Sequence, residues 1–78
     1  MEKFEISVSW NNENNHFEVL DYMHHEGEQC KYEVFQQGTF IGSFEPDGHR
    51  GLDICKNPGI VDASLLHEIA EALESYHI

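Results

Sequence analysis

A single amphipathic helix at the C-terminal end is the feature that most constrains the fold of this chain. Apolar residues recur at spacings of three and four through residues 63–78, and neither Gly nor Pro interrupts the pattern. Asp62 is suited to the N-cap, and Val61 can form a hydrophobic staple with Leu66. The apolar stripe must be buried against another layer of structure. Its members are Leu65, Leu66, Ile69, Leu73 and Tyr76.

The rest of the chain has the pattern of a sheet. Residues 4–10 alternate apolar and polar without a break, which is typical of a half-buried strand. Near Val19 and Leu20 this alternation slips, which indicates either two partly covered faces or a β-bulge. Further strands are predicted over residues 16–23, 30–36, 40–45 and 51–55. Loops are predicted over residues 11–15 and 24–29, and turns at residues 37–38 and near residues 46–48 and 57–59.

Strands joined by short turns pair with their sequence neighbours, so the strand-like segments predict an antiparallel meander of four to five strands. The C-terminal α-helix can cover only one face of that sheet. We therefore expect a small two-layer α+β fold, with residues 1–78 forming a single domain.

Acidic residues dominate the charge of the chain. The formal net charge is −11, and neither residues 4–30 nor residues 57–78 contain a Lys or Arg. Because binding to a phosphate backbone needs clustered Lys and Arg, direct nucleic-acid binding is not expected. No apolar run reaches the length of a membrane span, and the N-terminus has no signal-peptide pattern. We expect a cytoplasmic protein whose two cysteines, Cys30 and Cys55, are reduced thiols.

Two groups of residues could carry chemistry, although their spacing is poor for it. The first mixes imidazole, carboxylate and thiol groups, which are zinc and nickel ligands. The second could form an acid–base set, although its Asp-Gly pair is first a turn signal. The first group, which could bind a metal, consists of His24, His25, Glu26, Glu28 and Cys30. The second group, which could form a small enzymatic site, consists of Asp47, His49 and Asp53. The leading expectation is a non-enzymatic domain with no cofactor, because no phosphate loop, dinucleotide motif or nucleophile elbow is present.

Two surfaces are predicted to bind a partner. Apolar residues lie on both sides of the middle strands, so some of them, including Tyr22 and Phe35, should face away from the helix. On the helix, the acids Glu68, Glu71 and Glu74 have no Lys four residues on and form a negative face. The sequence therefore predicts a small acidic interaction domain that either forms a homodimer or binds a basic partner protein.

Overall fold

The computed structural model describes residues 2–22, 30–46 and 51–77, with the side chains of residues 76 and 77 excepted. Five antiparallel strands form one sheet in the order β1-β2-β3-β4-β5, and a helix follows them. The predicted α+β meander with a C-terminal helix is confirmed. The elements are β1 (Glu2–Trp10), β2 (Glu13–Asp21), β3 (Tyr32–Gln36), β4 (Thr39–Pro46), β5 (Leu52–Lys56) and α1 (Ala63–His77).

The first hairpin is tighter than its asparagine-rich sequence predicts. Only Asn11 and Asn12 form the turn, and both have positive φ angles, 52° and 64°. Asn tolerates the left-handed region, so these two residues suffice for a two-residue hairpin turn. Because β2 begins at Glu13, the predicted loop over 11–15 is too long. The predicted turn at Gln37 and Gly38 is confirmed, again with positive φ at both residues.

The phase slip in β2 reflects coverage of both faces rather than a bulge. All nine residue pairs between β1 and β2 are in continuous register. The bulges lie elsewhere: the β3–β4 register shifts between Val34 and Phe35, and the β4–β5 register shifts between Ser43 and Phe44. The first shift leaves Ile41 as the extra residue of β4, so it is buried on the same side as Phe44.

Helix α1 packs on one face of the sheet and completes a single core. Asp62 holds the N-cap position, since its carbonyl oxygen accepts the backbone N–H groups of Leu65 and Leu66 at 3.0 and 3.2 Å. Half-buried Val61 packs against the core beside the start of the helix. The side chain of Tyr76 lies outside the described residues. The core comprises Ile6, Val8, Phe17, Val19, Tyr32, Val34, Ile41, Phe44, Leu65, Leu66, Ile69, Ala70 and Leu73.

Gly42 allows the helix to approach β4 closely. A Cβ atom at this position would lie 2.8 Å from Cδ2 of Leu66 and 3.5 Å from the carbonyl oxygen of Lys56. Leu66 is fully buried, so its side chain has little room to move away. The missing side chain of Gly42 is therefore part of the fit between sheet and helix.

Replacing Gly42 with Ala is expected to lower the free energy of unfolding by about 1–3 kcal/mol, because overpacking a filled core displaces its neighbours. In a Leu66→Ala background the penalty should shrink by at least about 0.5 kcal/mol, because the clashing methyl group is gone. Urea unfolding of the four proteins of this double-mutant cycle measures both values. An equal penalty in the two backgrounds would contradict the close approach of Gly42 and Leu66.

Candidate functional site

A groove runs between the outer edge of β1 and helix α1. It consists of two adjoining clefts of about 460 and 270 Å³, which share Ser7, Ala72 and Ser75 in their walls. The first cleft is also lined by Glu5 and Ile6. Val8, Ser9, Glu68 and Glu71 complete the second cleft. We call this feature the β1–α1 groove.

The sequence of β1 explains the lining of the groove. Alternation in a strand sends Ile6 and Val8 into the core, whereas Ser7 and Ser9 stay exposed. On the helix side of the groove, half-buried Ala72 packs against the core. The groove therefore joins the buried side chains of Ile6 and Val8 to a hydroxyl-bearing strand edge and three exposed carboxylates, those of Glu5, Glu68 and Glu71.

Only part of the predicted acidic helix face borders the groove. Glu68 and Glu71 are exposed and line the second cleft. Glu74 is half-buried and is not part of either cleft wall. The three glutamates thus lie on one helix, but only two of them contribute to a concave surface.

The face of the sheet opposite the helix, here called the open face, carries half-buried apolar side chains. Phe35 stacks edge-to-face with Phe40, with ring centroids 5.6 Å apart. The hydroxyl group of Tyr22 donates to Oε1 of Glu33 at 2.7 Å, and this hydrogen bond raises the pKa of Tyr22. Each of these residues keeps partial contact with solvent. By register the open face includes Lys3, Glu5, Ser7, Ser9, Glu18, Leu20, Tyr22, Glu33, Phe35, Phe40 and the fully buried Ser43.

Lys31 and Asp21 form a partly buried ion pair beside the core residue Tyr32. Nζ of Lys31 donates to Oδ1 of Asp21 at 2.6 Å, and the same ammonium group lies 4.8 Å from the ring centroid of Tyr32. Burial alone lowers the pKa of Lys31, but the hydrogen bond to Asp21 and the neighbouring negative charge outweigh it and raise the pKa overall. Asp21 is only 5% exposed, so its carboxylate depends on this partner.

The two cysteines form a disulfide, so the expectation of reduced thiols is wrong. Cys30 and Cys55 are 25 residues apart in sequence, and their Cα atoms lie 6.2 Å apart. The bond links the segment before β3 to the edge strand β5. Beneath it, the buried Ser43 of β4 directs its hydroxyl at Sγ of Cys30 over 3.2 Å. Spacing along the chain could not show that the two cysteines come within bonding distance, because the meander brings them together across β4.

The residues of the alternative chemistry are not brought together in the described part of the chain. His24, His25, Glu26, Glu28, Asp47 and His49 lie outside the described residues. Cys30 has no free thiol, and Asp53 is exposed on β5. Over residues 2–22, 30–46 and 51–75, no three His, Cys, Asp or Glu side chains form a group that could hold a metal ion. Within the same ranges, no helix has the length and hydrophobicity needed to traverse a bilayer.

Replacing Lys31 with Met should lower the free energy of unfolding by about 1–3 kcal/mol, because it leaves the buried carboxylate of Asp21 without its partner. Lys3→Met is the matched control. Lys3 pairs with Glu18 at 2.9 Å, but its side chain is 62% exposed, so the urea midpoint should barely move. If Lys31→Met and Lys3→Met lowered the free energy of unfolding equally, the Lys31–Asp21 pair would not stabilise the fold more than an exposed ion pair, and the prediction would be wrong.

The Lys31 contribution should also depend on pH. Because folding raises the pKa of Lys31 above its ordinary value of 10.5, the ion pair stabilises fully below that pH. Its contribution is lost as the pH rises through the higher folded value. Wild type and Lys31→Met should therefore converge in stability at strongly alkaline pH, and a constant difference up to pH 12 would contradict this assignment.

Reduction of the Cys30–Cys55 bond should lower the free energy of unfolding by about 3 kcal/mol, because a loop of this length gains conformational freedom in the unfolded chain. Urea unfolding with and without a phosphine reductant measures the loss. The Cys30→Ala/Cys55→Ala variant should not respond to the reductant. A wild-type midpoint that is unchanged by reductant would overturn the pairing.

Comparisons with protein-family models, with curated proteins and with solved structures return no match for this chain. The groove, the strand edge and the charge of the chain itself therefore carry the functional proposal.

Proposed function

We propose that this chain is a non-enzymatic interaction domain that binds a basic partner protein. The supporting observation is the β1–α1 groove, a concave surface with Glu68 and Glu71 exposed in its wall. An open groove with both apolar and polar walls can bury ligand area, and its carboxylates select the sign of the ligand's charge.

The distribution of cations strengthens the proposal. Lys3 and Lys31 are each engaged in an ion pair, with Glu18 and Asp21 respectively. Lys56 lies on β5, the opposite edge of the sheet from β1. Around the groove itself, none of the lining residues is a Lys or Arg. Among the described residues, Glu68 and Glu71 thus have no Lys or Arg beside them in the groove and are available to charges from outside the chain, whereas Glu5 lies near Lys3.

A basic partner is favoured over a second copy of the same chain. Two copies would each bring a net charge of −11 into contact, and this repulsion opposes close association. The apolar side chains of the open face offer limited area, since Tyr22, Phe35 and Phe40 are already half-buried. For a basic partner the same charge attracts and speeds encounter.

The metal-binding alternative has less support. Its first set relied on a Cys30 thiolate, which a disulfide does not provide. Its second set relied on Asp53, which is exposed on an edge strand, together with residues outside the described part of the chain.

The Cys30–Cys55 disulfide is also relevant to the cellular compartment of the protein. The sequence favours the cytoplasm, but disulfides persist mainly in oxidising compartments. We therefore favour an oxidising environment for the working protein. Thiol alkylation of the protein in acid-quenched source cells tests this, because two alkylated cysteines without prior reduction would restore the cytoplasmic assignment.

Immobilised protein should retain basic proteins from an extract of its source cells and release them as salt is raised, because salt screens exposed charges. Glu68→Gln/Glu71→Gln should lose most of this retention. Glu74→Gln/Asp53→Asn removes the same charge away from the groove and should retain the partner almost as well as wild type. Mass spectrometry identifies and quantifies the retained proteins.

Two results would contradict the proposal. One is an extract in which nothing is retained in a salt-sensitive manner. The other is equal loss of retention in the two double variants, which would assign the effect to net charge rather than to the groove.

A further inference from the structure

The two edges of the sheet differ in how well they are protected against pairing with another chain. Edge strands expose unpaired backbone N–H and C=O groups, and proteins usually guard them with short length, charges, proline or bulges. Strand β5 has these guards: it spans five residues, carries Asp53 and Lys56, and has an irregular register against β4.

Strand β1 has few of these guards against pairing with another chain. It is nine residues long, and its register with β2 is continuous. Its charges, Glu2, Lys3 and Glu5, lie in its first half, whereas residues 6–10 contain no charge, proline or glycine. Those five residues read Ile-Ser-Val-Ser-Trp, a composition that favours strand pairing. In the described part of the chain, β1 pairs with β2 alone.

The unguarded stretch of β1 coincides with the β1–α1 groove. Ile6, Ser7, Val8 and Ser9 line its two clefts. The helix forms the other wall with Ala72 and Ser75. A groove between a free strand edge and a helix suits an extended peptide, since main-chain hydrogen bonds supply affinity and alternate side chains enter the groove.

We propose that an extended basic segment of a partner protein adds to the edge of β1 as a sixth strand of the sheet. The segment lies in the β1–α1 groove and places Lys or Arg at alternate positions beside Glu68 and Glu71. This inference rests on the proposed function and deepens it, because it names the mode of binding and the chemistry of the partner. Charge complementarity selects this occupant over a second acidic copy.

The alternation of a strand sets the pattern of the recognised segment. Residues two apart point to the same side, so every second residue of the added strand faces helix α1. Five unguarded residues of β1 extend over roughly 17 Å at about 3.3 Å per residue. A peptide of about eight residues is therefore long enough to occupy the edge.

The test uses a capped peptide with four Lys-Val repeats and the full-length oxidised protein. Titration is followed by ¹H–¹⁵N NMR. We expect the largest shift changes at residues 6–10 and at residues 68–75, with little change in β5, the guarded edge. A capped peptide with four Glu-Val repeats should bind at least about ten-fold more weakly, because its charges repel the groove.

Two peptide variants test strand addition itself. One is N-methylated on every Lys and the other on every Val. An added strand donates the N–H groups of alternate residues to the sheet, so one of the two variants should lose at least about ten-fold in affinity while the other keeps most of it. If both bind as well as the parent peptide, strand addition is wrong, even where recognition of basic charge survives.

Protein variants separate the two proposals. Glu68→Gln/Glu71→Gln should weaken the Lys-Val peptide about five-fold, whereas Glu74→Gln/Asp53→Asn should change affinity less than about two-fold. No binding of the Lys-Val peptide, or shifts confined to the open face or β5, would overturn the edge inference alone. The proposed function stands or falls separately, on the retention of basic proteins by the immobilised domain.

Discussion

The burial of one sheet face under one helix is the constraint on which the rest of this structure depends. The inner face of the sheet and the stripe of α1 form a single core cluster, so neither layer is stable in water alone. At Gly42 the fit leaves no room for a side chain, since a Cβ atom there would lie 2.8 Å from Cδ2 of Leu66. The described residues contribute to one core cluster, so a poor fit at this point disturbs the packing of that whole core.

The same constraint decides which surfaces remain for function. One helix covers one face, so the open face and both strand edges stay outside the core. The disulfide to Cys55 ties β5 to the segment before β3, and the irregular register against β4 guards its outer edge. The other edge, β1, has no comparable device over residues 6–10. In the part of the chain that the structure describes, the groove that we assign to a basic partner lies where residues 6–10 of β1 have β2 as their one neighbouring strand.

Local patterns predicted the secondary structure because they have local causes. The period of two in residues 4–10 and the period of 3.6 in α1 place side chains on faces without reference to the rest of the chain. Asp62 at the N-cap and the turn at Gln37 and Gly38 follow from the chemistry of those few residues. The orientation of Tyr22 and Phe35 away from the helix follows from the same alternation.

Features that depend on register and crossing were not accessible from the sequence. The bulge that turns Ile41 inward and the proximity of Cys30 to Cys55 follow from which residues lie opposite each other in the sheet. The groove requires knowing where α1 crosses β1. Its one sequence signal was the lack of charge in residues 6–10 of a strand at the start of the chain, which becomes informative once β1 is known to be an edge.

We predict that residues 6–10 of β1 form a free edge in the isolated protein, because among the described residues they pair with β2 alone. Native-state amide hydrogen exchange of the oxidised protein, followed residue by residue by NMR, tests it most directly. We expect an alternating pattern in residues 6–10, with rapid exchange at the amides that point away from β2 and slow exchange at those bonded to it. Amides within the central strand β3 should be uniformly slow. Slow exchange at every amide of residues 6–10, independent of protein concentration, would show that the edge is already covered and would contradict the account.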